Sequence, residues 1–250
     1  MMRTFRLLVG YDGTAFHGWQ VQPGLRTVQG VLEEAVHGIL KGETPRVSGA
    51  GRTDVGVHAR GQVASFQADL NVPGHALAPL LNRRLPRDVR VRTGAEAEPR
   101  FHARHSARGR RYAYRVLEAD DVLLERFAWN IRRVPDWDKV EQATRVLEGE
   151  QDFSAVAAAG SAVGSNICKV RRARWKLQRG GARLDIVSDH FLYHMVRNVV
   201  STVLRASRDS DPAATMRDIL ASRSRGRAAG TAPAHGLCLE AVHYPVEDVS

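Results

Sequence analysis

In the stretch LYHMVRNVVSTVL, residues 192–204, apolar side chains fall at Leu192, Met195, Val196, Val199, Val200, Val203 and Leu204. This unbroken i, i+3, i+4, i+7 spacing marks a helix with one buried face. Such a helix needs an apolar surface to lie on, and its neighbours offer one with the other periodicity. Arg110 to Leu117 puts Tyr112, Tyr114 and Val116 on one side of a strand and Arg111, Ala113 and Arg115 on the other. KVRRARWKLQ and ARLDIVS read as two further strands joined by a turn at Gly180-Gly181. The side of the late helix away from its apolar stripe carries His194, Arg197, Asn198, Ser201 and Arg205.

The N-terminal half repeats this mixture. Phe5, Leu7, Val9 and Tyr11 alternate along a strand that Asp12-Gly13 ends, and a helix follows from Thr27, its N-cap, to about Leu40. GQVASF, a helix around Leu77, Leu80 and Leu81, and the strand DVRVRT come next. Past Pro135 a helix carries Val140, Ala143, Thr144 and Leu147; Asp211-Pro212 opens another; LCLEAVHY is the last strand. No repeat period or low-complexity linker intervenes. The expectation is an α+β chain with a boundary between residues 102 and 110, dividing it into domains 1–105 and 106–250.

Of 250 residues, 43% are hydrophobic, enough to bury a core in each half. Lys and Arg number 37 against 27 acidic residues, giving a formal charge of +10 and favouring a polyanionic partner. Only four of the bases are lysines, and arginine's planar fork suits phosphate and base edges. An arginine-, alanine- and glycine-rich composition also arises from a GC-rich genome, so charge alone does not settle the partner. Cys168 and Cys238 form no C-x-x-C pair and no zinc spacing, which points to reduced thiols and no metal. No stretch approaches the roughly 20 apolar residues that span a bilayer, so the expectation is a cytoplasmic protein without a membrane partner.

Residues 48–59 read SGAGRTDVGVHA. The glycines suggest a phosphate cradle, but neither the dinucleotide fingerprint nor the terminal Gly-Lys-Ser/Thr of a P-loop is present. Instead, glycines at 49, 51 and 56 allow positive φ and close ligand approach, with the carboxylate of Asp54 in their midst.

GRTDVGVHA is identical to the signature of the tRNA pseudouridine synthase A (TruA) family, and other blocks resemble that family in the expected order. These are YDGTAFHGWQ at 11–20, LRTVQ at 25–29, FHARHSARGRRYAY at 101–114, FLYHMVRNVV at 191–200 and APAHGL at 232–237. The resemblance spans almost the whole chain. It implies the pseudouridine synthase fold: two α+β domains with mainly antiparallel sheets meeting along a basic central cleft. It also implies a homodimer that acts on tRNA, isomerising uridines at positions 38, 39 and 40 of the anticodon stem-loop without a cofactor. Asp54 matches the family's catalytic aspartate, Arg197 its late-helix arginine and Tyr112 its active-site tyrosine. Arg52 matches the loop arginine that props the space left by the flipped nucleotide.

The chemistry of these residue types agrees. A carboxylate is a competent nucleophile toward a sugar carbon with oxocarbenium character. A guanidinium favours its ionised form, and a tyrosine can stack on an extruded base and help remove the proton from C5. The residues do not distinguish attack at C1′ from attack at C6, or from a path beginning at C2′. Arg26, Arg104, Arg110, Arg111 and the cluster at 223–227 are expected to contact phosphate. The chain departs from the family at Val156, within the small-residue run DFSAVAAAGSAVG, which is expected to be mobile. It departs again at SNICKVRR, at Cys238 in place of a tyrosine and at His105 in place of an aromatic. Two other readings remain: an RNA-binding or tRNA-folding factor without chemistry, and a glycosidase acting on nucleosides, which would need a second carboxylate not evident near Asp54.

Overall fold

The structure is a computed structural model that describes residues 1–40, 45–158 and 165–245. The chain forms β1 (Arg3–Tyr11), α1 (Val28–His37), β2 (Ser48–Gly49), β3 (His58–Ala68), α2 (Leu77–Asn82), β4 (Val89–Ala97) and β5 (Gly109–Leu117). It continues through β6 (Trp129–Asn130), α3 (Trp137–Arg145), β7 (Gly149–Asp152), β8 (Ile167–Gln178), β9 (Gly181–Ser188), α4 (Met195–Ala206), α5 (Pro212–Ala221) and β10 (Leu237–His243). Two compact units result: one from the described residues of Met1–Arg108 and Cys238–Ser250, the other from those of Gly109–Leu237. Each mixes helices with a mainly antiparallel sheet, so the α+β class holds.

In the first unit, β1 lies between β3 and β4, antiparallel to both. Its alternation does what the sequence requires: Phe5, Leu7 and Val9 are fully buried, while Arg6 stays outside. Each such burial stabilises the unit by roughly 1.5–3 kcal/mol. Phe5 stacks on Phe66 of β3 at 5.3 Å, and Gly94 of β4 lets Leu77 of α2 settle against the sheet beside Leu7. The Thr27 side chain caps α1, whose buried stripe is Val28, Leu32, Ala35 and Val36. The helix ends at His37, short of the expected Leu40, because Ile39 and Leu40 donate to carbonyls three residues back in tight turns.

The far edge of β3 is shared. Ser65 and Ala64 pair with Ser48 and Gly49 of β2, while His58 and Ala59 pair in parallel with Cys238 and Leu239 of β10. The last strand, which the division at 105 assigns to the C-terminal half, therefore completes the sheet of the first unit. Periodicity shows which face a strand buries but does not name its neighbour.

In the second unit, β5, β9, β8 and β7 run antiparallel in that spatial order, and β6 pairs with β5 in parallel. Tyr112 stands opposite Ile186 and Tyr114 opposite Leu184, so the expected face is kept. The turn between β8 and β9 is Arg179-Gly180, one residue earlier than expected: Gln178 pairs with Gly181, and Gly180 takes the positive φ of 75°. Trp175 ties β8 to α3, its ring 5.3 Å from Trp137 and its Nε1 donating to Thr144 Oγ1 at 2.9 Å. Asp136 and Asp211 accept from first-turn amides to cap α3 and α5.

Along α4, Met195, Val196, Val199, Val200 and Val203 are buried as the spacing requires. Asn198 is buried with them, against the expectation that it belongs to an outward face. Its amide has three partners, Val156, Arg225 and Thr231, which offset the cost of removing a polar group from water. Within the run expected to be mobile, Ala155 and Val156 are buried in a short 3-10 turn, and its residues 159–164 lie outside the described residues.

Candidate active site residues

The segment carrying Asp54 leaves β2 at Gly49 and enters β3 at His58. Asp54 opens a β-turn: Val57 N donates to Asp54 O at 3.1 Å, and Gly56, third in the turn, has φ +78°. A type II turn reserves that position for glycine. Of the three glycines that allow positive φ, Gly56 alone uses it, and Gly49 and Gly51 do not. Gly49 serves close approach instead, since a Cβ there would stand 2.4 Å from the Trp19 ring. Thr53 is buried, Asp54 half-buried, and Arg52 and Val55 exposed, so the turn shows its tip and hides its root.

That root is held by the segment after β1. Trp19 N donates to Thr53 O at 3.0 Å, Gly56 N to Phe16 O at 3.4 Å, and Gly13 N to His58 Nδ1 at 3.0 Å. Asp12 Oδ1 lies 3.2 Å from the same His58 nitrogen. Arg26 joins this neighbourhood. Its guanidinium forks onto Asp88 at 2.8 and 3.0 Å and lies 4.0 Å from the centre of the Phe16 ring. The Asp88 hydrogen bond raises the Arg26 pKa, so its charge is committed within the fold before any phosphate arrives.

Tyr112 and Arg197 lie in the second unit. Tyr112 is buried on β5, with Phe191 edge-on at 5.1 Å. Arg197 stands in the first turn of α4, after His194, whose φ of 59° makes a left-handed entry to the helix. Arg197 is half-buried, and its Nε donates to Ala232 O at 2.8 Å. Burial pushes the Tyr114 phenol well up and the Arg197 charge pulls it back. Burial lowers His235, a hydrogen bond that its ring donates to the Ala128 backbone opposes this, and Arg197 lowers it further.

Among the other expected contacts, Arg111 and Arg104 are exposed, whereas Arg110 Nη1 is turned onto Asp189 O at 2.9 Å. Residues of the 223–227 cluster, expected to contact phosphate, also have partners within the fold. Arg223 pairs with Asp152 at 3.1 Å, and Arg225 reaches Ala229 O at 2.7 Å and Asn198 Oδ1 at 3.1 Å. Sequence reasoning missed Tyr11, Thr53 and Gln62, which hold the Asp54 turn from beneath, and the inward role of Asn198. Two glycines, Gly13 and Gly18, just ahead of Trp19 signalled that another backbone passes close by. Among the described residues no group of three or more His, Cys, Asp or Glu is arranged to hold a metal ion, and no helix is long and apolar enough to cross a membrane.

The comparisons with known proteins bear on the whole chain. The family model described as tRNA pseudouridine synthase matches residues 7–106 and 143–245. A protein of Acetivibrio thermocellus named tRNA pseudouridine synthase A is 37% identical over 97% of this chain and 100% of its own length. Its namesake from Shouchella clausii is 40% identical over 94% of this chain and 91% of its own length. A solved Cbf5-Nop10-Gar1 complex aligns with 80% of this chain and 44% of its own at a TM-score of 0.38 and 15% identity, too remote a likeness to bear on the fold. With the model covering both units and the relatives matched nearly end to end, this chain belongs to the tRNA pseudouridine synthase family.

Proposed function

We propose that this protein isomerises uridine to pseudouridine in tRNA, at positions 38, 39 and 40 of the anticodon stem-loop, with the carboxylate of Asp54 as nucleophile. Asp54 bonds to the nucleoside, the bond from C1′ to N1 breaks, the uracil turns, a bond from C1′ to C5 forms, the bond to Asp54 breaks to return the carboxylate, and the C5 proton moves to solvent as N1 gains one. Atoms and electrons balance without a cofactor. Tyr112 stacks on the base and assists at C5, Arg197 favours the ionised carboxylate, and Arg52 props the space that the uridine leaves. Arg104 and Arg111 contact the RNA backbone, and Arg26 and Arg110 add charge from fixed positions.

The observation that supports this reading is the position of Asp54 at the half-open tip of a turn whose root is buried, within a family match that runs through it. A nucleophile needs that combination of access and restraint. Extruding a stem base costs about a few kcal/mol, which the arginine contacts offset. The protein is proposed to act as a cytoplasmic homodimer, for which light scattering should give twice the chain mass.

The test is a map of pseudouridine in tRNA after incubation with the wild type and with Asp54→Asn. The wild type is expected to modify the anticodon stem-loop, and the variant to bind tRNA but leave it unmodified. Isomerisation by Asp54→Asn would remove the assignment, and tRNA binding without modification by the wild type would favour a folding factor.

A further inference from the structure

The residues beside Asp54 are held from behind by groups to which the reaction gives no task. Tyr11, the last residue of β1, is buried, and its hydroxyl lies 2.8 Å from Oγ1 of Thr53, the residue directly before Asp54. Gln62 Nε2 donates to Gly51 O at 2.7 Å and makes a longer contact of 3.5 Å with the Tyr11 oxygen. Either hydroxyl of the Tyr11–Thr53 pair can be the donor, and Gln62 donates to the phenol oxygen from the other side. Burial pushes the Tyr11 phenol far above its ordinary value, and the Thr53 and Gln62 hydrogen bonds only partly oppose this. The hydroxyl therefore stays protonated across the working range.

The backbone is confined as well. A Cβ on Gly18 would come within 2.6 Å of Thr53 O, and one on Gly13 within 2.0 Å of Val57 O. The chain before Asp54 and the chain after its turn are thus each pressed against the segment 11–19, while Val55 at the tip remains exposed. The Tyr11–Thr53 bond sits one residue from the carboxylate, where a small backbone rotation changes its direction of approach, and a displacement of about 1 Å at a reacting group can cost on the order of 100-fold in rate.

We propose that Tyr11 and Thr53 are positioning residues, whose hydroxyl pair fixes the angle at which the Asp54 carboxylate meets the uridine. This rests on Asp54 being the nucleophile. The test compares single-turnover modification of tRNA by the wild type, Tyr11→Phe, Thr53→Val, the double variant and Thr53→Ser, with tRNA dissociation constants and melting temperatures measured on the same samples. Tyr11→Phe keeps the ring and Thr53→Val keeps the shape, so both leave the packing in place.

The expected result is a rate about 10- to 100-fold slower for each of these two, with tRNA affinity within about twofold and little change in melting. Because both substitutions delete the same bond, the double variant should be no slower than the slower single one. Thr53→Ser, which restores the hydroxyl, should recover most of the rate. Wild-type rates for Tyr11→Phe and Thr53→Val would overturn the proposal, and so would losses that add in the double variant and follow a fall in tRNA affinity and melting temperature. Asp54→Asn in the same assay separates the two ideas: if it is inactive while the hydroxyl variants are normal, only the positioning role is lost.

Discussion

Gly18 shows how much a single position carries. Its φ of +81° lies in the left-handed region, and an added Cβ would meet Thr53 O at 2.6 Å, an atom of the main chain that has nowhere to retreat. Gly18→Ala should therefore destabilise the first unit by about 2 kcal/mol, lowering the melting temperature by roughly 4–8 °C. A thermal melt unchanged within a degree would show that the approach is looser than described. Gly24 is the internal control, having φ +72° with nothing near its missing Cβ, so alanine there should cost only the backbone term. Sequence made the glycines of residues 48–59 conspicuous, yet two of the closest approaches to that turn come from Gly13 and Gly18. Those contacts are long-range, and no local pattern announces which backbone a glycine will face.

Helix α4 and the hairpin β8–β9 were legible because a strong period leaves few ways to bury an apolar stripe. Strands β2 and β7 were not, since two and four residues carry no period and become strands only by pairing with β3 and β8. The place of Asn198 does not follow from its residue type, because a buried amide is stable where its hydrogen bonds are met. Asn198 Nδ2 donates to Val156 O at 2.8 Å, and its Oδ1 accepts from Thr231 at 2.8 Å and from Arg225. Through these bonds α4 holds the neighbouring residues 225–232, including the Ala232 carbonyl that receives Arg197 Nε. Asn198→Ala strands all three partners and should cost about 2–3 kcal/mol, seen as an earlier denaturant midpoint. Wild-type stability in that variant would mean that solvent replaces the amide without penalty.

The formal charge of +10 belongs to the whole molecule, as does its consequence for binding. If 6–10 phosphates are neutralised, tRNA affinity should drop about 10³- to 10⁵-fold between 50 and 200 mM salt. Filter binding across that range measures the slope, and a flat line would mark the arginine excess as compositional. The α+β class could be read from the amino acids alone, whereas the hydroxyl and amide groups behind Asp54 could not, since Tyr11 and Gln62 reach its turn from distant strands. The partner of the last strand could not, because alternation says nothing of sequence distance. That strand, β10, joins His58 and Ala59 of β3 only after the entire second unit has been synthesised. A nascent chain arrested before Cys238 carries β3 with backbone amides and carbonyls open at those positions, a template for stray pairing. The second unit, continuous in the chain, can form as it leaves the ribosome, whereas the unit that bears Asp54 begins first and is sealed last.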